Sequence, residues 1–203
     1  GGTAWLLAVL LRWLWPDLCI VHHSNGIEQH RVEVVRRSGI ESVNSGWFRA
    51  DLSPLYDWGL RAADAIVTVG EYDVPFLRRG DYAPSGRVYA IENPLPSRFL
   101  NQEVTTEERP KRIGFCGSWI SRKGIQVIES DIATFLREYP SWTFSVVGSK
   151  DANVKGVFPA QVRDRIEVTP FMERSDLIDW YHSLSILTLP SIYESFGMVV
   201  AEA

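Results

Sequence analysis

Short β-branched runs alternate with stretches of helical length along most of this chain. That alternation confines it to parallel sheets flanked by helices. Strand character shows at 18–21 (LCIV), 65–69 (AIVTV), 87–91 (RVYAI), 112–117 (RIGFCG), 142–147 (WTFSVV) and 186–189 (ILTL), and is weaker at 165–168. Parallel neighbours need a crossover, and the segments between the runs have the length to supply a helix each. Helices are expected at 3–14, from the Ser53-Pro54 cap to Ala62, near 73–79, and at 123–138 and 175–183. A long loop is expected after the strand at 18–21, with Ser24 to Glu28 at its start.

Between 94 and 110 the periodicity is lost, and Pro94, Pro96 and Pro110 bracket a polar, charged segment. The cycle of strands and helices then restarts. The expected architecture is α/β, with two Rossmann-like parallel-sheet domains at 1–100 and 111–203 joined by a linker at 101–110. Both are expected to be incomplete, because the chain opens at Gly1 without an initiating Met and stops at Ala203 inside a helix.

Composition narrows the function classes. Hydrophobic residues make up 45% of the 203 positions, which leaves ample material for cores, and a net charge of −4 argues against nucleic acid as a partner. Cys19 and Cys116 both fall in expected strands, as buried thiols of a reducing, cytoplasmic setting. Residues 4–15 are nearly all apolar and hold Trp5, Trp13 and Trp15 around a single Arg12. The run is too short to span a bilayer and lacks the flanks of a signal peptide. It reads as a helix buried in the core, with peripheral association at the inner face of a membrane as the other use of such a surface.

The chemistry concentrates at strand ends. Gly117 closes one strand, where a missing side chain lets backbone approach a ligand. Arg122 and Lys123-Gly124 follow before the next helix, and a Lys there can offer a point charge to a phosphate. The last strand runs into PSIYESFGMVVAE, in which Glu194 and Glu202 flank a turn that opens a helix. Such a turn aims backbone N–H groups at an anion, and carboxylates accept the paired hydroxyls of a ribose or sugar. No His/Cys/Asp cluster has metal-ligand spacing, and no Gly-x-Gly-x-x-Gly follows a strand, which disfavours an ordinary dinucleotide enzyme.

RIGFCGSWISRKG (112–124), FSVVG (144–148) and ILTLPSIYESFGMVVAE (186–202) resemble the donor-binding domain of the family 4, GT-B-type retaining glycosyltransferases. Glu194 and Glu202 meet that family's Glu-x7-Glu signature. SNGIE (24–28), AADAIVTVG (62–70) and 88–94 resemble its acceptor-side loop, strand and pre-linker segments. The resemblance implies a hexosyltransferase that uses a nucleotide-diphosphate sugar as donor, without a metal or other cofactor, and a saccharide, lipid-linked or other small acceptor. It implies that Lys123 contacts the diphosphate, Glu202 holds the ribose and Glu194 faces the transferred sugar. Gly117, Ser118, Arg122, Phe196 and the amides of Gly197, Met198 and Val199 would complete the donor side, and Asn25, Gly26 and Glu28 the acceptor side. Two positions depart from the pattern. Ser118 stands where the family often has Arg, and Asn25 where its loop has His, with His22 and His23 nearby. Those departures favour, as the alternative, a non-catalytic nucleotide-sugar-binding protein; a sugar-nucleotide epimerase on the same scaffold is another.

Overall fold

The computed structural model describes residues 4–39, 53–83, 86–100, 109–150 and 153–203. The chain forms two compact units, Gly1–Pro94 with Tyr193–Phe196, and Leu95–Ile192 with Gly197–Ala203. Each holds one parallel sheet. The expected linker at 101–110 lies outside the described residues as far as 108.

The first unit runs α1 (Ala4–Leu14), β1 (Val21–Ser24), α2 (Glu28–Arg37), α3 (Ser53–Arg61), β2 (Ala65–Thr68), a 3-10 turn (Glu71–Asp73), α4 (Val74–Arg79) and β3 (Val88–Ala90). The strands lie in the order β1-β2-β3, Val21 opposite Ala65 and Ile66 opposite Val88. Ile66, Leu60, Leu77, Phe76, Val88 and Ile27 form the core.

Three expectations for this unit need correction. The first strand starts at Val21 and not at 18, because the Ile20 carbonyl is used by the Asp64 and Ala65 N–H groups and its N–H by the Asp64 side chain. Cys19 therefore sits outside the strand and is exposed. Where a long loop was expected, EQHRVEVVRR forms α2. Its few apolar positions are β-branched valines among charges, a weak helical signature. The third concerns α1, which is not buried. Leu6, Leu7, Leu10, Trp13 and Leu14 are exposed while Ala8 is covered. Its last turn is tied down by Arg12, which pairs with Asp64 at 2.6 Å and donates to the Ala62 carbonyl, so that polar anchor fixes which side faces inward.

The second unit runs α5 (Ser97–Leu100), β4 (Arg112–Cys116), a 3-10 turn (Ser121–Lys123), α6 (Ile125–Glu138), β5 (Thr143–Val147), two 3-10 segments (Val154–Val157, Ala160–Arg165), β6 (Ile166–Thr169), α7 (Arg174–His182), β7 (Ile186–Leu187) and α8 (Met198–Glu202). All pairings are parallel, in the order β6-β5-β4-β7. Alternation along the central strands divides the two faces. Ile113, Phe115, Phe144 and Val146 pack with Ile128, Ile132 and Leu136, which recur every four residues along α6. Val147 packs on the other face with Trp180, Tyr181 and Leu184. Fully burying one such aromatic or aliphatic side chain contributes roughly 1.5–3 kcal/mol.

Glycine makes the second face possible. A β-carbon at Gly114 would lie 2.3 Å from Leu184 Cδ1 and 2.9 Å from the Trp180 ring. On the neighbouring strand the buried Ser145 hydroxyl accepts the Trp180 indole N–H at 2.8 Å, so the indole is satisfied inside the core. No helix among the described residues is long and apolar enough to cross a membrane.

Candidate functional site

The second unit gathers its candidate residues at the carboxyl ends of β4 and β7, where open parallel sheets receive ligands. Gly117 follows β4 at φ +140°, its N–H bonded to the Val147 carbonyl at 2.8 Å. A β-carbon there would stand 3.7 Å from Lys123 Cε, so the lysine side chain lies over the strand end. Lys123 itself is not in the helix. It ends the 3-10 turn, and Gly124, left-handed at φ 73°, separates it from α6. That turn is held from the other side. A β-carbon at Gly124 would meet the Pro190 carbonyl oxygen at 2.1 Å, and Ile192 donates to the Arg122 carbonyl at 2.9 Å. The Arg122–Gly124 turn thus packs on the segment that leaves β7.

Gly197, left-handed at φ 77°, opens α8, and Val200 and Ala201 both donate to its carbonyl. In the first turn of any helix the N–H groups of the leading residues have no intrahelical acceptor. Val199 turns its side chain to the Trp180–Tyr181 core, which fixes the rotation of α8. Glu202 then meets Tyr181, whose hydroxyl donates to Oε2 at 3.0 Å. Burial, the Cys116 thiol and Glu202 together raise the Tyr181 hydroxyl far above the usual range, which keeps it a donor. Cys116 also reports the grouping. Burial raises its thiol, Tyr181 bonds to it, and both Glu202 and Lys123 act on it through their charges. Gly117, Lys123 and Glu202 are thus brought together around β4, while Ser118 is exposed beyond it.

The first unit holds the rest. Gly26, at φ +152°, packs against the Tyr193–Phe196 segment, where a β-carbon would lie 3.5 Å from the Tyr193 hydroxyl. Asn25 is exposed. Glu28, at the start of α2, is ion-paired with Arg31 three residues on, and that bond raises the guanidinium further. His22 is half-buried, and burial with His23 alongside lowers its pKa, whereas His23 is exposed. Glu194 and Phe196 lie in the Tyr193–Phe196 segment and are half-buried.

Sequence reading missed Tyr181, Asp73 and His30. Tyr181 looks like one more aromatic of a helix face. Asp73 reads as an ordinary acid ahead of a helix, and His30 sits in a helix of weak periodicity. Their partners are distant in sequence, so no local signal marks them. Among the described residues no group of three or more His, Cys, Asp or Glu side chains is placed to hold a metal ion.

Each unit is a Rossmann-like parallel sheet with crossover helices, the fold that solved GT-B glycosyltransferases share. Residues 110–203 match the family described as glycosyl transferases group 1. A D-inositol 3-phosphate glycosyltransferase from Corynebacterium urealyticum is 24% identical over an alignment covering 100% of this chain and 50% of that protein. An uncharacterized glycosyltransferase of Haemophilus influenzae is 27% identical over 143 residues, 69% of this chain and 39% of its own. The chain thus spans half or less of the length of the curated relatives it matches. The catalytic domain of starch synthase IV from Arabidopsis thaliana, bound to ADP and acarbose, shares the fold with a TM-score of 0.56 at 14% identity, over 95% of this chain and 52% of that one.

Proposed function

We propose that the protein is a retaining hexosyltransferase that moves a sugar from a nucleotide-diphosphate donor to a saccharide, lipid-linked or other small acceptor. The observation that carries this reading is the lysine over a side-chain-free strand end, with a tyrosine-held glutamate beside the same strand. In the proposed reaction the bond between anomeric carbon and diphosphate oxygen breaks through an oxocarbenium-like state. Negative charge then grows on the departing phosphate, and Lys123 with the amides of Gly197, Met198 and Val199 would stabilise it. Arg122 would assist in place of the cation that Ser118 does not provide. Glu202 would accept the ribose hydroxyls, and Glu194 would face the sugar beside Phe196. Asn25, Gly26 and Glu28 would serve the acceptor.

Transfer on one face of the sugar, assisted by the donor itself, is the route proposed for retention. The reaction is proposed to need no metal cofactor. A cytoplasmic location at the inner face of a membrane belongs to the same proposal, supported by the exposed apolar side chains of α1.

A preorganised donor at a developing oxyanion is worth about 100- to 1000-fold in rate. Turnover of UDP-, GDP- and ADP-sugars by the full-length protein should therefore fall by about 100-fold or more in Lys123→Ala, with smaller losses in Glu194→Ala and Glu202→Ala. Product anomer, read by NMR, tests retention. Full turnover in all three variants rejects the site, and nucleotide-sugar binding without transfer selects the non-catalytic alternative.

A further inference from the structure

Asp73 ends the 3-10 turn ahead of α4 at 0% exposure. A carboxylate taken out of water is costly unless its lone pairs are occupied, and here they are. Oδ1 accepts from His30 Nδ1 and from the Tyr193 hydroxyl, each at 2.7 Å, and Oδ2 accepts from the Ser195 hydroxyl. A carboxylate can only accept, so the His30 proton lies on Nδ1. His30 is itself buried, stacked on Phe76 at a centroid distance of 4.7 Å and edge-on to Tyr193 at 5.5 Å. The Tyr193 oxygen in turn accepts the Ile27 N–H at 3.0 Å. From the opposite side, Gly70 leaves room for the Ser195 carbonyl oxygen, which a β-carbon would meet at 1.9 Å.

The two residues flanking Glu194 are therefore both bonded to one carboxylate. An apolar side chain would fill the same space, whereas two directed hydrogen bonds, from Tyr193 and Ser195, fix the segment's position and rotation, and the third, from His30, orients the carboxylate. We propose that Asp73, oriented by His30, is a positioning residue: it fixes the Tyr193–Phe196 segment and thereby sets where the Glu194 carboxylate stands. The functional half of this inference rests on Glu194 facing the transferred sugar.

The test uses the full-length protein, reading hydrogen exchange at the 193–196 amides and steady-state turnover of a nucleotide-sugar donor. In Tyr193→Phe, which keeps the packed ring, and in Asp73→Leu, exchange at 193–196 should quicken by about 10-fold or more. Turnover should show kcat lower by about 10- to 100-fold with donor KM within about 3-fold, since the loss falls on the transition state. Asp73→Asn keeps the shape and one acceptor oxygen and should restore much of the protection. Added to Glu194→Ala, Tyr193→Phe should cost less than about 2-fold more, because the hydroxyl acts through Glu194. Unchanged exchange in both Tyr193→Phe and Asp73→Leu overturns the proposal, as does a Tyr193→Phe cost equal with and without Glu194. Quickened exchange with full turnover in Glu194→Ala supports the tether and refutes the sugar-facing reading of Glu194 instead.

Discussion

The Tyr181 hydroxyl donates to the Glu202 carboxylate across 3.0 Å, from a buried helix face to the last turn of α8. Hydrogen bonds to charged groups contribute about 1.5–3 kcal/mol, toward the low end when the acceptor is partly solvated, as Glu202 is. The bond holds one carboxylate oxygen and so aims the other.

Tyr181→Phe keeps the ring packed against Trp180 and removes the hydroxyl that meets Glu202 and the Cys116 thiol. If Glu202 holds a ribose, affinity for the matching nucleoside diphosphate should fall about 3- to 10-fold, and stability by about 1.5 kcal/mol. Calorimetric titration with UDP, GDP and ADP measures this. An unchanged Kd for the nucleotide that binds would separate Glu202 from ribose recognition.

Gly124→Ala forces a side chain into left-handed backbone and against the Pro190 carbonyl. The backbone strain alone costs about 1–3 kcal/mol. For a chain of this size that lowers Tm by at least about 2–4 °C per kcal/mol. The displaced Arg122–Gly124 turn should also weaken diphosphate binding. Gly148→Ala is the comparison, because its φ of 88° carries the strain while the nearest atom, the Gly117 nitrogen, is 3.4 Å away. Equal melting losses in the two variants would show that the Pro190 contact is relieved by relaxation.

Alkaline pH should destabilise the protein, because its buried tyrosines resist an ionisation that the unfolded chain undergoes. Burial raises the hydroxyls of Tyr82, Tyr181 and Tyr193, Tyr82 to about 12 with Asp57 adding to the shift. An unfolded tyrosine titrates near about 10, so above that pH the unfolded state binds fewer protons and native stability declines. Stability from these groups is complete below about pH 10 and is lost as pH climbs toward and through each raised value. Melting temperatures across pH 9 to 12 should fall, and Tyr82→Phe should flatten part of the slope. A flat profile to pH 12 would contradict the assigned burial.

The alternation of runs was enough to expose both parallel sheets, because β4, β5 and β2 are short runs dominated by β-branched and aromatic residues, with Ser145 and Thr68 as their buried polar positions. Boundaries failed where main-chain bonding decides them. Asp64 moves the start of β1 to Val21, and Gly124 detaches Lys123 from α6. Helix α2 was illegible because charges outnumber its valines, and its place comes from Val35 and His30 being covered. Glycines, lysine and acidic residues around β4 could be named in advance because their residue types announce them. Tyr181, His30 and Asp73 could not, since each depends on a partner remote along the chain.

Main-chain crowding at Gly70 carries a lesson for anyone redesigning this protein. Position 70 and the peptide after Ser195 share a space that neither can cede, although no side chain joins them. Libraries that diversify the 193–196 loop while leaving residue 70 intact, or the reverse, would sample only half of a coupled choice. Grafting that loop into another scaffold would require carrying the bare α-carbon along with it.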